Sequence, residues 1–132
     1  PIVVKGIQTV EDAVLAADAG IDGIALSNHG GRQLDSAPAI AELIRPVVDA
    51  VGGRSEIICD GGIRRGGDIV KALALGADSC MAGRAYLYAL GAAGERGVDW
   101  VIEHLRTGME RDMALIGAAT VADLGPDLVR RT

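Results

Sequence analysis

Short apolar runs alternate with longer amphipathic segments along most of the chain. Each run is only a few residues long: Ile2–Val4, Gly23–Leu26, Ile57–Cys59 and Ser79–Ala82. Runs that are so short and so fully apolar predict strands of a parallel sheet covered on both faces. The segments between them repeat apolar residues at helical spacing, so the pattern predicts alternating strands and helices.

Capping residues indicate where helices begin and end. Thr9 with Asp12 predicts the start of the first helix, and Gly20 predicts its end. Asp68 is expected to cap a later helix that runs through Leu75. These positions leave short connections between each helix and the strand that follows it.

The other helical segments contain predicted interruptions. A segment that begins near Pro38 is expected to split into two short helices at Pro46, because proline lacks the backbone N–H that a helix interior uses. After the fourth strand, one short helix is expected to reach about Ala93, and a longer one ends at Gly117. The predicted packing residues of this region are Tyr86, Tyr88, Val98, Trp100, Val101, Ile102, Leu105, Met109 and Met113.

A weak internal repeat supports this alternation. Five residues recur at a constant offset, with Asp12, Val14, Ala16, Gly20 and Asp22 matching Asp68, Val70, Ala72, Gly76 and Asp78. Four such units in a row suit either a doubly wound α/β sheet or part of a (β/α)8 barrel. A complete barrel needs typically about 250 residues. A chain of 132 residues would be its second half.

Composition and charge argue against several classes of function. The formal net charge of −5 argues against general nucleic-acid binding. No apolar run is long enough to cross a bilayer, and no charged leader with an apolar segment is visible. The chain opens at Pro1 inside a strand pattern, which suggests a fragment or a cleavage product.

Both cysteines lie in apolar strand runs, where a free cysteine behaves as a small buried residue. Cys59 and Cys80 are far apart in the sequence and have no histidine cluster near them. A disulfide or a metal site is therefore not expected. The sequence predicts a reduced, cytoplasmic protein without a bound metal.

Basic residues concentrate where the predicted strands end. In parallel α/β folds, ligands bind beyond the carboxyl ends of the strands. Five of the thirteen cations lie at these ends in an otherwise acidic chain: Lys5, Arg32, Arg64, Arg65 and Arg84. Charges that only interact with solvent would be scattered along the helices, so the clustering predicts an anionic ligand.

The segment Asp60–Arg64 has the features of a phosphate site. Its glycines let backbone N–H groups converge on an anion, and the next helix directs its positive N-terminus at the same place. Arg64 and Arg84 can add forked donors, and Gly83 precedes Arg84 at the next strand end. The alternative is a tight turn with arginines in solvent. Arg65 is expected to start the helix with a solvated side chain.

His29 and Arg32 form a second candidate pair. An imidazole suits general-base chemistry near neutral pH, and Arg32 can clamp a carboxylate beside it. The alternative for His29 is a histidine that is only hydrogen-bonded in a loop. The alternative for Lys5 is an amine that only extends to solvent. His104 lies mid-helix without such neighbours and is interpreted as structural or solvent-facing.

These motifs together resemble the C-terminal half of the FMN-dependent α-hydroxy-acid dehydrogenases and oxidases. That family includes glycolate oxidase, lactate oxidase, mandelate dehydrogenase and flavocytochrome lactate dehydrogenase. The resemblance runs from Pro1–Gly6 through Ser27–Asp35 and Asp60–Gly66 to Gly83 and Arg84. It implies the second half of a TIM barrel, with residues 1–132 as the C-terminal half of an FMN-binding domain.

The resemblance also implies roles for individual residues. Lys5 would face the N1/O2 edge of the flavin and stabilise the anionic reduced ring. Ser27 would contact the flavin ring, His29 would remove a proton from the substrate, and Arg32 would hold the substrate carboxylate. The residues implied to bind the ribityl phosphate of FMN are Asp60, Gly61, Gly62, Ile63, Arg64, Gly83 and Arg84.

The implied reaction is the oxidation of an L-2-hydroxy acid to the 2-oxo acid. The first four βα units are absent, so the chain is expected to need an N-terminal half-barrel, as a second chain or segment, and a homo-oligomer is expected. One alternative is an FMN- or phosphate-binding barrel of other chemistry, such as isopentenyl-diphosphate isomerase or the inosine-monophosphate dehydrogenase relatives, which would lack the His29 and Arg32 arrangement. The other is a non-catalytic half-barrel that self-associates through its open sheet edges.

Overall fold

The computed structural model describes residues 1–130 and has the predicted alternation of strands and helices. The strands are β1 (Val3–Ile7), β2 (Gly23–Ser27), β3 (Glu56–Asp60) and β4 (Ser79–Met81). The helices are α1 (Val10–Asp18), α2 (Ile40–Val51), α3 (Gly66–Ala74) and α4 (Arg84–Ile116). Short 3-10 turns occupy His29–Gly31, Val121–Asp123 and Pro126–Leu128.

The four strands are parallel and lie in the order β1-β2-β3-β4. Each right-handed crossover moves the chain one strand in the same direction, which puts successive helices on one face of the sheet. A doubly wound sheet would instead reverse its order and carry helices on both faces. The order therefore confirms an α/β fold of the barrel type.

The helix-covered face of the sheet carries the hydrophobic core. Its strand side chains alternate with residues of the opposite face, as the pleat requires. They pack against the buried faces of α1 and α2, and the cluster includes Ala13, Ala17, Ile24, Leu26, Ile40, Ile44, Val47, Val51, Ile57 and Cys59.

The opposite face of the sheet is only partly covered, so the prediction of cover on both faces is wrong for residues 1–130. Val3 is 53% exposed and Met81 is 43% exposed on this face, at its two edges. Lys5, Ser27 and Asp60 lie on the same face near the carboxyl ends of their strands. We call this the open face.

Helix α2 runs without a break through Pro46, so the predicted split is wrong. Pro46 lies on the exposed side of the helix. The other side buries four residues at helical spacing: Ile40, Ile44, Val47 and Val51. Burial of that side holds the helix together despite the missing N–H, because each such side chain contributes roughly 1.5–3 kcal/mol.

Two predicted boundaries shift by a few residues. Strand β1 does not end at Lys5 but continues to Ile7, with an irregular register around Gly6, whose φ is +104°. Helix α3 begins at Gly66, so Asp68 lies inside the first turn and caps the helix from its third position. The Asp68 carboxylate accepts the backbone N–H groups of the two preceding arginines, Arg64 and Arg65, at 3.0 and 2.9 Å.

Helix α4 has the predicted interruption, at Ala93 and Gly94, and the predicted end at Gly117. Its predicted packing residues are only partly right. Val101 and Met113 are buried, whereas Trp100 is 63% exposed and stacks on His104 at a ring distance of 5.0 Å. Ile102, Tyr86 and Tyr88 are also exposed. Because α4 packs mainly on α3, apolar residues outside that contact stay at the surface.

Two glycines set the contact between α3 and α4. A Cβ added at Gly66 would lie 2.7 Å from the carbonyl oxygen of Leu105 and would overlap the backbone of Gly108 and Met109. The helices therefore touch through their main chains, which only glycine permits at this position.

Gly66→Ala should destabilise the protein by about 3 kcal/mol, because the added methyl group must push two backbones apart. Gly91→Ala is the matched control, since a Cβ there meets nothing within 4 Å. In an exposed helix that change should be neutral or stabilising by up to about 1 kcal/mol. Urea unfolding of both variants measures the difference, and equal midpoints would contradict this account of the helix contact.

Candidate functional site

Three neighbouring strands bring Lys5, Ser27 and Asp60 into one hydrogen-bonded cluster on the open face. The Lys5 Nζ donates to Ser27 Oγ at 3.1 Å and lies 2.6 Å from Asp60 Oδ2. Ser27 Oγ donates to the same carboxylate oxygen at 2.6 Å. Side chains separated by 22 and 33 positions thus meet because parallel strands end at one edge of the sheet. We call them the Lys5–Ser27–Asp60 cluster.

The Ser27 hydroxyl is the centre of this cluster. Ser27 is fully buried, at 0% exposure. Besides its bonds to Lys5 and Asp60, it accepts the backbone N–H of His29 at 3.1 Å. A hydroxyl has one proton to donate and two lone pairs to accept with. Every one of them is therefore used, and the loop that carries His29 is tied directly to the cluster.

Asp60 stays ionised at neutral pH. Partial burial raises the pKa of its carboxyl group, but hydrogen bonds from Lys5 and Ser27 and the electrostatic effects of nearby Lys5 and His29 together outweigh that effect. The pKa of Asp60 therefore lies below its ordinary value. The cluster holds a charged pair at the strand ends and leaves part of Lys5 exposed.

His29 occupies a turn that few non-glycine residues adopt. Its φ is +53°, and the next two residues, Gly30 and Gly31, also have positive φ, at 68° and 74°. The imidazole packs over Gly6, where an added Cβ would lie 2.7 Å from the ring Cε1. Gly6 is thus a site residue that sequence reasoning treated only as the end of a strand.

Asn28 was also missed by sequence reasoning. Its side-chain oxygen accepts the N–H of Gly30 at 3.1 Å, and its Nδ2 donates to the carbonyl oxygen of Pro38 at 3.3 Å. An asparagine that bonds the backbone two residues on is a known turn-forming arrangement. The sequence signal was an Asn followed by a Gly two positions later. The hydrogen bonds of Asn28 fix the path of the His29 loop.

A cavity of about 340 Å³ lies next to this loop. Its walls come from the loops after β2 and β3, from α2 and α3, and from the start of α4. Six of the residues that line it are Gly30, Gly31, Gly61, Gly62, Ile63 and Arg84. Arg84 donates from Nη2 to the carbonyl oxygen of Gly30 at 3.2 Å and so joins two walls of the cavity.

The cavity walls fit a phosphate group. A Cβ at Gly31 or Gly62 would meet nothing within 4 Å, so space is open beside both. Among the hydrogen bonds of residues 1–130, none uses the N–H of Gly62 or Ile63 as donor. Anions bind to free backbone N–H groups, to guanidinium groups and to helix N-termini. Arg84 supplies the guanidinium here and also begins α4. The residues present therefore fit the phosphate end of FMN.

Not every predicted site residue joins the cluster or the cavity. Arg64 is exposed, and its backbone N–H is bonded to Asp68. Arg32 is exposed and donates its backbone N–H to the carbonyl oxygen of His29 at 3.4 Å. Gly83 precedes α4 with negative φ. Arg65 is exposed at the start of α3, as expected. The roles of Arg32, Arg64 and Gly83 in binding stay predictions.

Comparison with known sequences identifies the family. The family described as FMN-dependent dehydrogenase matches residues 1–131. The chain belongs to this family. The resemblance noted in the sequence is confirmed, and FMN is the cofactor of the family.

Individual relatives match nearly the whole chain. The peroxisomal (S)-2-hydroxyacid oxidase GLO3 of Arabidopsis thaliana is 52% identical over 130 residues, which are 98% of this chain and 36% of that protein. A pre-mycofactocin synthase of Mycobacterium tuberculosis is 48% identical over 126 residues, or 96% of this chain and 32% of that protein.

A solved structure gives the same picture. The structure described as the monotopic membrane protein (S)-mandelate dehydrogenase superposes with a TM-score of 0.94 at 45% identity, over 98% of this chain and 34% of that one. The chain therefore spans about a third of the length of each of these proteins.

No helix among residues 1–130 is long and apolar enough to cross a membrane. The names of two relatives state a peroxisomal and a monotopic membrane location. The expected cytoplasmic location stays a prediction. Within the same residues, no group of three or more histidine, cysteine, aspartate or glutamate side chains is placed to hold a metal ion.

Asp60→Asn should cost about 1.5–3 kcal/mol of unfolding free energy at neutral pH, the usual range for hydrogen bonds to charged groups. Because the pKa of Asp60 is lowered by folding, its contribution is complete above the ordinary pKa of 3.8 and is lost as the pH falls through the folded value. Urea unfolding as a function of pH measures this effect.

The gap between wild type and Asp60→Asn should stay constant down to about pH 5 and then shrink. Asp99→Asn, at an exposed position of α4, is the control and should change little at any pH. A gap of the same size at acid pH would mean that the carboxylate charge is not what stabilises the cluster.

Proposed function

We propose that residues 1–132 form the C-terminal half of an FMN-dependent (β/α)8 barrel that oxidises an L-2-hydroxy acid to the 2-oxo acid. The observation that carries this proposal is the Lys5–Ser27–Asp60 cluster, hydrogen-bonded to the His29 loop. It places an ammonium group and an imidazole-bearing loop together at the carboxyl ends of parallel strands. Membership of the FMN-dependent dehydrogenase family supports the same reaction class.

The reaction needs a fixed substrate, a proton acceptor and an electron acceptor. FMN supplies the electron acceptor when bound. His29 accepts the substrate proton at a ring nitrogen, and its exposed ring over Gly6 leaves it open to a ligand on the open face. Arg32, three residues further on, holds the substrate carboxylate with two parallel hydrogen bonds. Lys5 provides positive charge beside the flavin.

The phosphate of FMN binds in the 340 Å³ cavity. The N–H groups of Gly62 and Ile63 and the guanidinium of Arg84 are its donors, and Gly61 and Gly83 let the backbone approach. Arg64 adds positive charge at the rim of the cavity. Ser27 and Asp60 end the two strands whose loops line the cavity, and Lys5 lies on the neighbouring strand, which fits a long cofactor that spans both sites.

The remaining strands of the barrel are supplied by an N-terminal half, in the same protein or as a second chain. The exposed Val3 and Met81 at the two edges of the open face support this proposal, because buried strand residues of a barrel would be covered by the missing strands. The relatives, about three times as long, have room for that half.

In the complete enzyme, His29→Ala should abolish reduction of the bound flavin by an (S)-2-hydroxy acid while FMN remains bound. Arg32→Met should weaken substrate binding and slow reduction, because the carboxylate loses a forked donor. Anaerobic stopped-flow absorbance of the flavin, with a series of hydroxy acids, measures both effects.

His104→Ala and Arg96→Met are the matched controls, since both residues are exposed on α4 away from the strand ends. They should leave the reduction rate unchanged. Normal reduction by His29→Ala would overturn the assigned base, and an unchanged concentration dependence in Arg32→Met would overturn the clamp.

The half-barrel assignment predicts how FMN is retained. Residues 1–132 should keep FMN only when the other strands of the barrel are present, since those strands complete the open face. Flavin absorbance per protein and the mass from light scattering measure this. A monomer of residues 1–132 that keeps one FMN would contradict the assignment. A colourless oligomer that does not dissociate when the N-terminal half is added would favour the alternative, a non-catalytic half-barrel that self-associates.

A further inference from the structure

Cys59 and Cys80, which the sequence separates widely, are direct neighbours in the sheet. They are register partners on the parallel strands β3 and β4. Adjacent strands lie about 4.7–4.9 Å apart, which is inside the Cα separation of about 4.4–6.8 Å that a disulfide needs. Register partners point to the same face, here the helix-covered one. Their wide separation in the sequence therefore does not keep the two thiols apart in the fold.

The two thiols differ in their surroundings. Both are free in the structure; Cys59 is 2% exposed and Cys80 is half-buried. Cys59 also lines the 340 Å³ cavity. Because Cys80 is only half-buried, a small oxidant can reach the pair without unfolding of the sheet.

The proximity of the two side chains makes the pair unequal. The interaction with Cys59 lowers the pKa of the Cys80 thiol, against the opposing effect of burial, and the interaction with Cys80 raises the pKa of Cys59, where burial adds to the rise. Cys80 is also the more exposed of the two, so it is the sulfur that ionises first and meets oxidants, and a thiolate is the form that reacts. Cys59 keeps its proton and faces the reactive sulfur.

We propose that Cys59 and Cys80 form a reversible intramolecular disulfide when the protein meets hydrogen peroxide. This inference goes beyond the proposed function and does not depend on a bound flavin. It assigns Cys80 as the attacking sulfur and Cys59 as the resolving sulfur, and it predicts a covalent link between β3 and β4 one residue before Asp60.

The reaction has two balanced steps. The Cys80 thiolate attacks one oxygen of hydrogen peroxide, so that an S–O bond forms, the O–O bond breaks and hydroxide leaves. The sulfur of Cys59 then attacks the sulfenic sulfur of Cys80. The S–S bond forms, the S–O bond breaks, and water leaves with the Cys59 proton. Two thiols are oxidised and one peroxide is reduced, and a dithiol reductant reverses the link.

The test treats the folded, reduced protein with hydrogen peroxide in small excess. After alkylation of the remaining thiols, peptide mapping should show Cys59 joined to Cys80, with the loss of two hydrogens, and dithiothreitol should restore both thiols. Circular dichroism before and after treatment checks that the protein stays folded. Two free thiols, or links only between molecules, after treatment of folded protein would overturn the proposal.

Single variants test the order of attack. In Cys59→Val, Cys80 should accumulate sulfenic acid that dimedone traps, because the resolving sulfur is gone. In Cys80→Val, the buried Cys59 should react at least about tenfold more slowly. Equal rates in the two variants would overturn the assignment of Cys80 as the attacking sulfur. If a variant fails to fold, the peptide map of the wild-type protein still tests whether Cys59 and Cys80 become linked.

Discussion

The buried hydroxyl of Ser27 is the interaction on which the candidate site depends. It binds the side chains of Lys5 and Asp60 and the backbone of His29, and so connects three strands and one loop. Lys5, Ser27 and Asp60 are far apart in the sequence. They meet because parallel strands in sequential order bring their carboxyl ends to one edge. Loss of the hydroxyl would leave a buried carboxylate and an amide each short of a partner, which costs more than the bonds themselves contribute.

The order of the strands also explains the surfaces of the chain. Helices fall on one face of the sheet and build the core there, while the opposite face keeps exposed apolar residues at both edges. In a complete barrel the sheet closes on itself, which removes both edges and covers these exposed apolar residues. The coverage of about a third of each relative agrees with that interpretation.

Local patterns in the sequence predicted much of the fold. Every strand, the start of α1 and the end of α4 follow from apolar runs and capping residues, as do the cations at the strand ends. The errors concern non-local effects. Pro46 was expected to break α2, but burial of the opposite side outweighs the lost hydrogen bond. The neighbouring Cys59 and Cys80 and the ion pair of Lys5 with Asp60 depend on strand register, which sequence distance does not reveal. The family resemblance named candidate site residues, but the contact of His29 with Gly6 required coordinates.

That contact has a mechanical consequence. Gly6 follows Lys5 directly in β1, and the ring of His29 lies on its Cα. A shift of this strand along or away from the sheet would therefore move the ammonium group and change the surface on which the imidazole packs at the same time. The position of the imidazole depends on β1 as well as on the loop after β2 that carries it. Any larger residue at position 6 would displace the His29 ring, since even a methyl group there would lie 2.7 Å from the ring Cε1.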